Sequence, residues 1–458
     1  MSEAASKRRQ GERSGAAFRT AMGLGLLLTL AANVPGQMSL DSAVALLEAR
    51  TGVRQTWAPA ISSALIKPFN DLVGGTGLYV TASAGLLFFS LMSLTRLRPR
   101  STWLAVALGA AAVLTPQILL YQGIVWRDVI FANLTLAGFI MLAHAAKAWS
   151  ARPPVLPLAG ALACLALAAL ARQNGLILVI AAAAALAWTA RGGGWRSSVG
   201  WGLGALVATG VLALAINQVA TPKETVGKLR ANGASLILQH YDIVGAVAHR
   251  PGLKLKEIGK ADPKAQAAIE AGAPRLYTPS RIDTLDSDDA FRRTLWHVPD
   301  AAMQAQWRHV IVHSPAAYLA HRFDVFRWTF LTPDLQACLP VQVGVTGPPA
   351  MLDRLNVQTG VDIQDRGLAA YAKRFYGTPV FSHLTWALVA LGAIGWLLRR
   401  RDPADMAMVA LLTGSLLFTA SFAVISVACD YRYLYLLDLA AIAGALYVAL
   451  DPPRWKRA

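Results

Sequence analysis

Apolar residues gather in ten runs along the chain, at 17–35, 76–95, 102–121, 129–146, 154–172, 175–190, 198–220, 378–398, 404–428 and 432–450. A helix crosses a hydrocarbon core in about 20 residues, so each run predicts a transmembrane helix. Between the seventh and eighth runs lies a polar stretch, 222–377, which holds more than half of the acidic residues and has no apolar run long enough to span. Its length suits an ordinary folded domain. The pattern predicts an all-α polytopic membrane protein of about ten transmembrane helices. Residues 1–221 form a first transmembrane module, 222–377 a mainly helical outer domain, and 378–458 a second transmembrane module.

Finer patterning adds detail. Residues 301–328 read as two helices broken at Ser314-Pro315, a serine before a proline being a helix start with proline at its first position. Leu335 to Gly360, rich in Pro and Gly, reads as loop or short strands. Residues 39–49 place Leu40, Val44 and Leu47 on one face, which predicts a short amphipathic helix along the membrane surface. There is no internal repeat or heptad array.

Composition agrees with a bilayer setting. The chain has 458 residues, 55% of them hydrophobic and 15% charged, with a mean hydropathy of +0.43, whereas a soluble domain carries about 25% charged residues. The net charge of +17 does not point to nucleic acid, because the basic residues form short clusters between apolar runs rather than one polar face. Those clusters alternate. Lys7, Arg8, Arg9, Arg13 and Arg19 precede the first run; Arg96, Arg98 and Arg100 follow the second, Lys147 and Arg152 the fourth, and Arg191 and Arg196 the sixth. Arg399 to Arg401 follow the eighth run, and Arg454, Lys456 and Arg457 the tenth. By the positive-inside rule both termini are cytoplasmic. No small-x-small site follows the first run, which is expected to stay as an uncleaved helix. A bacterial inner membrane fits the alanine-rich runs and the basic amino end.

Several local signals carry little. Cys338 and Cys429 fall on the outer side, where an oxidising compartment permits a bridge, but their spacing has no signature and they are expected to remain unbridged. His309 and His313 stand at i and i+4 with Val310 where a zinc-protease helix carries glutamate, so packing or solvation is the expectation. Gly74-Gly75-Thr76-Gly77 lacks the Lys-Ser/Thr of a phosphate loop, and Asn133-Leu134-Thr135 falls inside a transmembrane run.

The acids at the membrane edge carry more, since ionisable groups there are expensive and usually functional. Asp41 fits two roles, a cap at the start of the surface helix or a reactive carboxylate. Asp128, preceded by Arg127, fits a local ion pair at the start of the fourth transmembrane helix or an accessory acid. Arg172 ends the fifth run on the outer side, against the charge bias, and an arginine there snorkels or meets an anion. Asp438 lies inside the last run and needs a partner or a water-filled cavity.

The order of these features resembles the GT-C superfamily of integral-membrane glycosyltransferases that use polyprenyl-phosphate sugars, similar to protein O-mannosyltransferases and lipid A aminoarabinose transferases. An aspartate follows helix one, and a juxtamembrane helix ends near Trp57-Ala58-Pro59. A second acid starts helix four, and Arg172-Gln173-Asn174-Gly175 joins helices five and six. A large outer domain follows helix seven, and Asp430-Tyr431-Arg432-Tyr433 opens the last helix. The chain departs from the pattern at Trp57-Ala58-Pro59, where His-Pro-Pro is usual, at Gln173, where proline is usual, and at Arg127, where another acid often stands.

The resemblance implies transfer of a sugar to a glycan, lipid or protein acceptor on the outer face, with Asp41 as the base for the acceptor's proton and Asp128 as an accessory acid. A lipid-phosphate leaving group needs cations. Arg432 is the first choice, its planar fork matching phosphate oxygens, and Arg172 is the second. Tyr431 and Tyr433 either donate hydrogen bonds or anchor the helix at the interface. Arg127 and Asp128 bracket the sugar, or Asp41 and Asp128 hold a divalent cation through oxygen ligands. No cofactor is required outright. In the outer domain, His240 to Asp242, Tyr277 to Arg281 and Tyr318 to Arg322 are polar-aromatic clusters that suit sugar binding or an ordinary surface. The other function class that fits is a transporter or flippase for an amphipathic lipid, although transporters usually show internal repeats.

Overall fold

The computed structural model describes residues 3–56, 58–150, 153–226 and 233–452. Trp57, Arg152, Arg454, Lys456 and Arg457 lie outside the described residues, as do the side chains of Lys7 and Arg8.

Helix covers each of the ten apolar runs. Among the described residues, seven helices are long and apolar enough to cross a membrane: Arg9–Asn33, Gly77–Leu97, Arg127–Lys147, Gln173–Gly193, Trp195–Ala220, Pro403–Ile425 and Tyr431–Leu450. An eighth is present if the bent pair Trp103–Val113 and Pro116–Gly123 is one span, while the apolar helix Val155–Ala171 is shorter. His383–Arg400 ends on two arginines. This is the helix content of an all-α polytopic membrane protein. The run 102–121 predicts one continuous helix, but the chain turns by 64° within it. Pro116 has no N–H and crowds the preceding residue out of the helical region; Thr115 accordingly takes φ −73° and ψ 147°.

The chain divides into two compact units, one of Met1–Val226, Val341–Phe418 and Leu434–Ala458, the other of Gly227–Pro340 and Thr419–Tyr433. Residues 341–377, which the polar pattern groups with the outer domain, belong to the first unit. Backbone hydrogen bonds explain this. The Met38 N–H donates to Gly344 O at 3.0 Å and the Thr346 N–H to Met38 O at 2.9 Å. Arg50 donates to Leu355 O and the Tyr371 hydroxyl to Leu114 O, both at 2.5 Å. A two-residue parallel pairing of Val53–Arg54 with Glu224–Thr225 lies in the same unit.

Several polar side chains buried inside the first unit are hydrogen-bonded to one another. Asn133 is fully buried, exchanges amide hydrogen bonds with Gln122 at 2.7 and 3.1 Å, and donates to Ser83 O at 3.0 Å. The Tyr435 hydroxyl accepts from Gln122 at 2.8 Å and donates to Gln117 O at 2.7 Å. Asp438 finds its partner in His383, Nδ1 to Oδ1 2.8 Å, with both side chains fully buried. At the ends expected to face the cytoplasm, buried Asp405 is gripped by Arg98 and, at 2.6 and 2.8 Å, by Arg400, and it accepts from the Tyr447 hydroxyl at 2.9 Å. Arg98 and Arg400, counted in the sequence as orienting charges, are therefore also fixed in an ion network.

In the second unit, the helices Gly233–His249, Lys256–Ala261, Pro263–Leu276, Asp289–His297, Asp300–His313 and Pro315–Leu331 close over a core that includes Tyr241, Val244, Ile258, Ile269, Met303 and Val325. The break at Ser314-Pro315 falls where the sequence predicts it, with proline opening the new helix. A buried polar knot ties the core. Asp242 pairs with Arg322, accepts from Trp307 Nε1 at 2.6 Å, and meets His321 Nε2 at 3.1 Å. Gly245 makes room for it, because a Cβ there would stand 2.0 Å from His321 Nδ1. Cys338 and Cys429 form a disulfide, against the sequence expectation. The chain itself brings them together, since the Tyr431 N–H donates to Cys338 O and the Cys429 N–H to Ser280 O, both at 2.8 Å.

Candidate functional site

Asp41 lies in the first turn of the helix Leu40–Thr51, close to the predicted 39–49. The start of that helix is pinned to the turn before the helix Arg127–Lys147. The Gln37 N–H donates to Gly123 O at 2.8 Å and the Val125 N–H to Gln37 O at 3.0 Å. The Ser42 hydroxyl donates to Val125 O at 2.7 Å, and Trp126 Nε1 to Ser39 Oγ at 2.9 Å. Ser39 is the N-cap residue, its N–H donating to Ser42 Oγ at 3.2 Å. Capping therefore falls to Ser39 and Ser42, and Asp41 is exposed, its charge favoured at the positive end of the helix.

A cavity of about 150 Å³ opens beside it, lined among others by Asp41, Glu48, Ser62, Tyr79 and Arg127. Arg127 has no ion pair or hydrogen bond among the described residues, and its Nε is buried. It stands in the first turn of its own helix, where the dipole opposes a cation. The Ser62 hydroxyl is likewise buried without a partner among the described residues. The site thus joins a carboxylate, a guanidinium with no anion among the described residues, and a hydroxyl.

Glu48 was not singled out in the sequence. It is 4% exposed, and its Oε1 accepts from the N–H groups of Gln55 at 2.7 Å and Thr56 at 3.1 Å. It thereby holds the loop whose Thr56, Ala58 and Pro59 wall the cavity. Seven residues from Asp41, two helical turns away, it shares that face, a spacing legible once the helix is granted. Glu48 also borders an apolar groove of about 850 Å³ lined by Ile61, Leu65, Ile216 and Val219 among others, a shape and chemistry suited to a hydrocarbon chain.

Asp128 and Arg172 meet in an ion pair, their side chains 3% and 10% exposed. The Arg172-Gln173-Asn174-Gly175 turn comes close because Gly175 has no side chain; a Cβ there would stand 3.2 Å from Phe131 and from Ala168 O. Asp128 thus faces a guanidinium, a setting that does not fit a divalent cation shared with Asp41. Among the described residues no group of three or more His, Cys, Asp or Glu side chains is placed to hold a metal.

The remaining candidates belong to the second unit. Asp430 forms ion pairs with Arg432 and Arg281, both at 3.3 Å. Arg432 lies 5.7 Å from the ring centre of Tyr433, which stacks on Phe422 at 5.8 Å. Tyr431 is fully buried. Of the outer clusters, Asp242, His321 and Arg322 are in the core knot, and the Tyr277 hydroxyl is hydrogen-bonded to His321 Nδ1 at 2.9 Å. Burial pushes the Tyr241 and Tyr277 hydroxyls up and the His321 imidazole down from their ordinary values. His309 and His313 stack at 4.2 Å.

Compared with known proteins, the chain matches no protein-family model and no curated protein sequence.

Proposed function

We propose that the chain is an integral-membrane glycosyltransferase of the GT-C kind, with about ten spans, both termini cytoplasmic and an outer domain. It moves a sugar from a polyprenyl-phosphate carrier to a glycan, lipid or protein acceptor on the periplasmic face of a bacterial inner membrane. The observation that carries this reading is the pairing of Asp41 and Arg127 on one cavity. Asp41 takes the proton of the acceptor hydroxyl or amine as the new bond to the anomeric carbon forms. The bond from that carbon to the phosphate oxygen breaks, its electrons leave with the lipid phosphate, and Arg127 holds the charge that develops. The adjoining apolar groove suits the carrier's chain. Ser62 and Tyr79 supply further hydrogen-bonding groups on the cavity wall.

The test uses the purified full chain in lipid nanodiscs with a panel of polyprenyl-phosphate sugars as donors. Asp41→Asn should abolish transfer while donor binding persists, and Asp41→Glu should restore part of it. Transfer by Asp41→Asn at the native rate would remove Asp41 as base. Donor flipping across the bilayer without any transfer by the native chain would assign it instead to lipid transport.

A further inference from the structure

The helix Pro315–Leu331 gives only one side to its unit. Ala317, His321, Arg322, Val325 and Thr329 are buried, an arc consistent with 3.6 residues per turn. The opposite arc is apolar as well. Leu319 and Phe323 are 61% and 67% exposed, and Phe326 and Phe330 follow along the same stripe, their rings stacked 5.6 Å apart. Beside the stripe, Arg327 reaches toward Asp324 at 3.6 Å, and Asp324 itself meets His249 at 3.0 Å. A helix on the surface of a soluble domain turns polar residues outward. Here the described residues leave Leu319 and Phe323 exposed and Phe326 and Phe330 half-buried.

The buried arc fixes the height at which the stripe lies. Arg322 donates to Ser426 O at 2.7 Å, and Thr329 Oγ1 shares a hydrogen bond with Ser426 Oγ at 2.9 Å. Ser426 directly follows Ile425, the last residue of the candidate span Pro403–Ile425. The carboxyl half of Pro315–Leu331 is therefore bonded to the end of a membrane-crossing helix. From this we propose that Pro315–Leu331 is an interfacial helix whose Leu319, Phe323, Phe326 and Phe330 stripe enters the outer leaflet. Helices of this kind sink about 5–10 Å, to the boundary of headgroups and acyl chains. The bilayer is preferred over a second copy of the chain because the hydrogen bonds set the helix at a span's end, where lipid is the surrounding solvent. The inference rests on Pro403–Ile425 being a span and is independent of the transferase reading.

Single cysteines test it in the full chain with Cys164 replaced by alanine and the disulfide left intact. Phe323→Cys and Leu319→Cys, both at exposed positions, are labelled with an environment-sensitive fluorophore and reconstituted in nanodiscs. The expected result is emission shifted to the blue at both sites, quenched several-fold more by lipids carrying a shallow spin label than by aqueous iodide. Iodide quenching without lipid quenching at both sites would overturn the proposal. So would energy transfer between copies in place of lipid quenching, which would assign the stripe to a second copy.

Discussion

Arg172 and Asp128 neutralise one another in a pocket that leaves their side chains 10% and 3% exposed. Arg127, one residue earlier, lines the Asp41 cavity without an ion pair among the described residues. Two arginines that look alike in the sequence thus have different work, one holding the start of a helix to a turn and the other facing an open space.

The paired arginine should behave as a structural element. Removing one member of a buried pair strands the other, at a cost of roughly 3–5 kcal/mol, whereas replacing both with apolar groups is often nearly neutral. Arg172→Ala should therefore lower the unfolding temperature markedly. The double variant Asp128→Leu, Arg172→Met should recover most of the loss. Thermal unfolding of the four proteins in one detergent forms the cycle, and additive losses would show that the two side chains do not share an interaction.

Arg127 should show the reverse. With no ion pair or hydrogen bond among the described residues, its replacement by alanine should change stability by no more than about 0.5 kcal/mol. If it binds the donor phosphate, loss of a charged hydrogen bond worth about 1.5–3 kcal/mol weakens donor binding roughly tenfold or more. Arg127→Lys, which keeps the charge but not the fork, should fall between. Equal donor affinity in Arg127→Ala and the native chain would remove the phosphate role.

The disulfide gives a chemical count. Of three cysteines, Cys338 and Cys429 are joined and Cys164 is free. Unreduced, denatured protein should titrate one thiol and reduced protein three. The bridge closes a loop of 91 residues, so its removal should cost about 2–5 kcal/mol. Three thiols without reductant would contradict the bridge.

What was legible in the sequence follows from how far each interaction reaches along the chain. The short helix carrying Asp41 and the break at Ser314-Pro315 are local and appear close to where the pattern places them, although that helix buries Ala43, Leu46 and Leu47 while Leu40 of the expected apolar face is exposed. The bend before Pro116 is equally local, but hydropathy does not show it because the run stays apolar through it. Interactions that join distant segments were not legible. Asp438, an acid inside an apolar run, needs a partner, but His383 lies 55 residues away. The wall of the Asp41 cavity needs Ser62, Tyr79 and Arg127 from separate elements. Cys338 and Cys429 meet because backbone hydrogen bonds align their loops, which no spacing rule encodes.

The second unit should lose stability in mild acid, and His321 gives the sign. Burial is the chief influence holding its imidazole below the ordinary value; the charge of Arg322 acts in the same direction, and the Asp242 acceptor opposes both. Nε2 faces the Asp242 carboxylate at 3.1 Å and Nδ1 lies 2.9 Å from the Tyr277 hydroxyl, an arrangement that suits the neutral ring with its proton on Nε2. In the unfolded chain His321 takes a proton near pH 6.5. Just below that pH the unfolded state binds more protons than the folded one, so the stability present above about 6.5 falls as the pH drops. The loss levels off once the folded imidazole itself titrates. Ordinary carboxylates act near pH 4, which leaves pH 5–6.5 as the window for the histidine. Hydrogen exchange across residues 233–331 should show protection falling through that window in the native chain and falling less in His321→Gln. An unchanged slope in the variant would assign the acid sensitivity to a group other than His321.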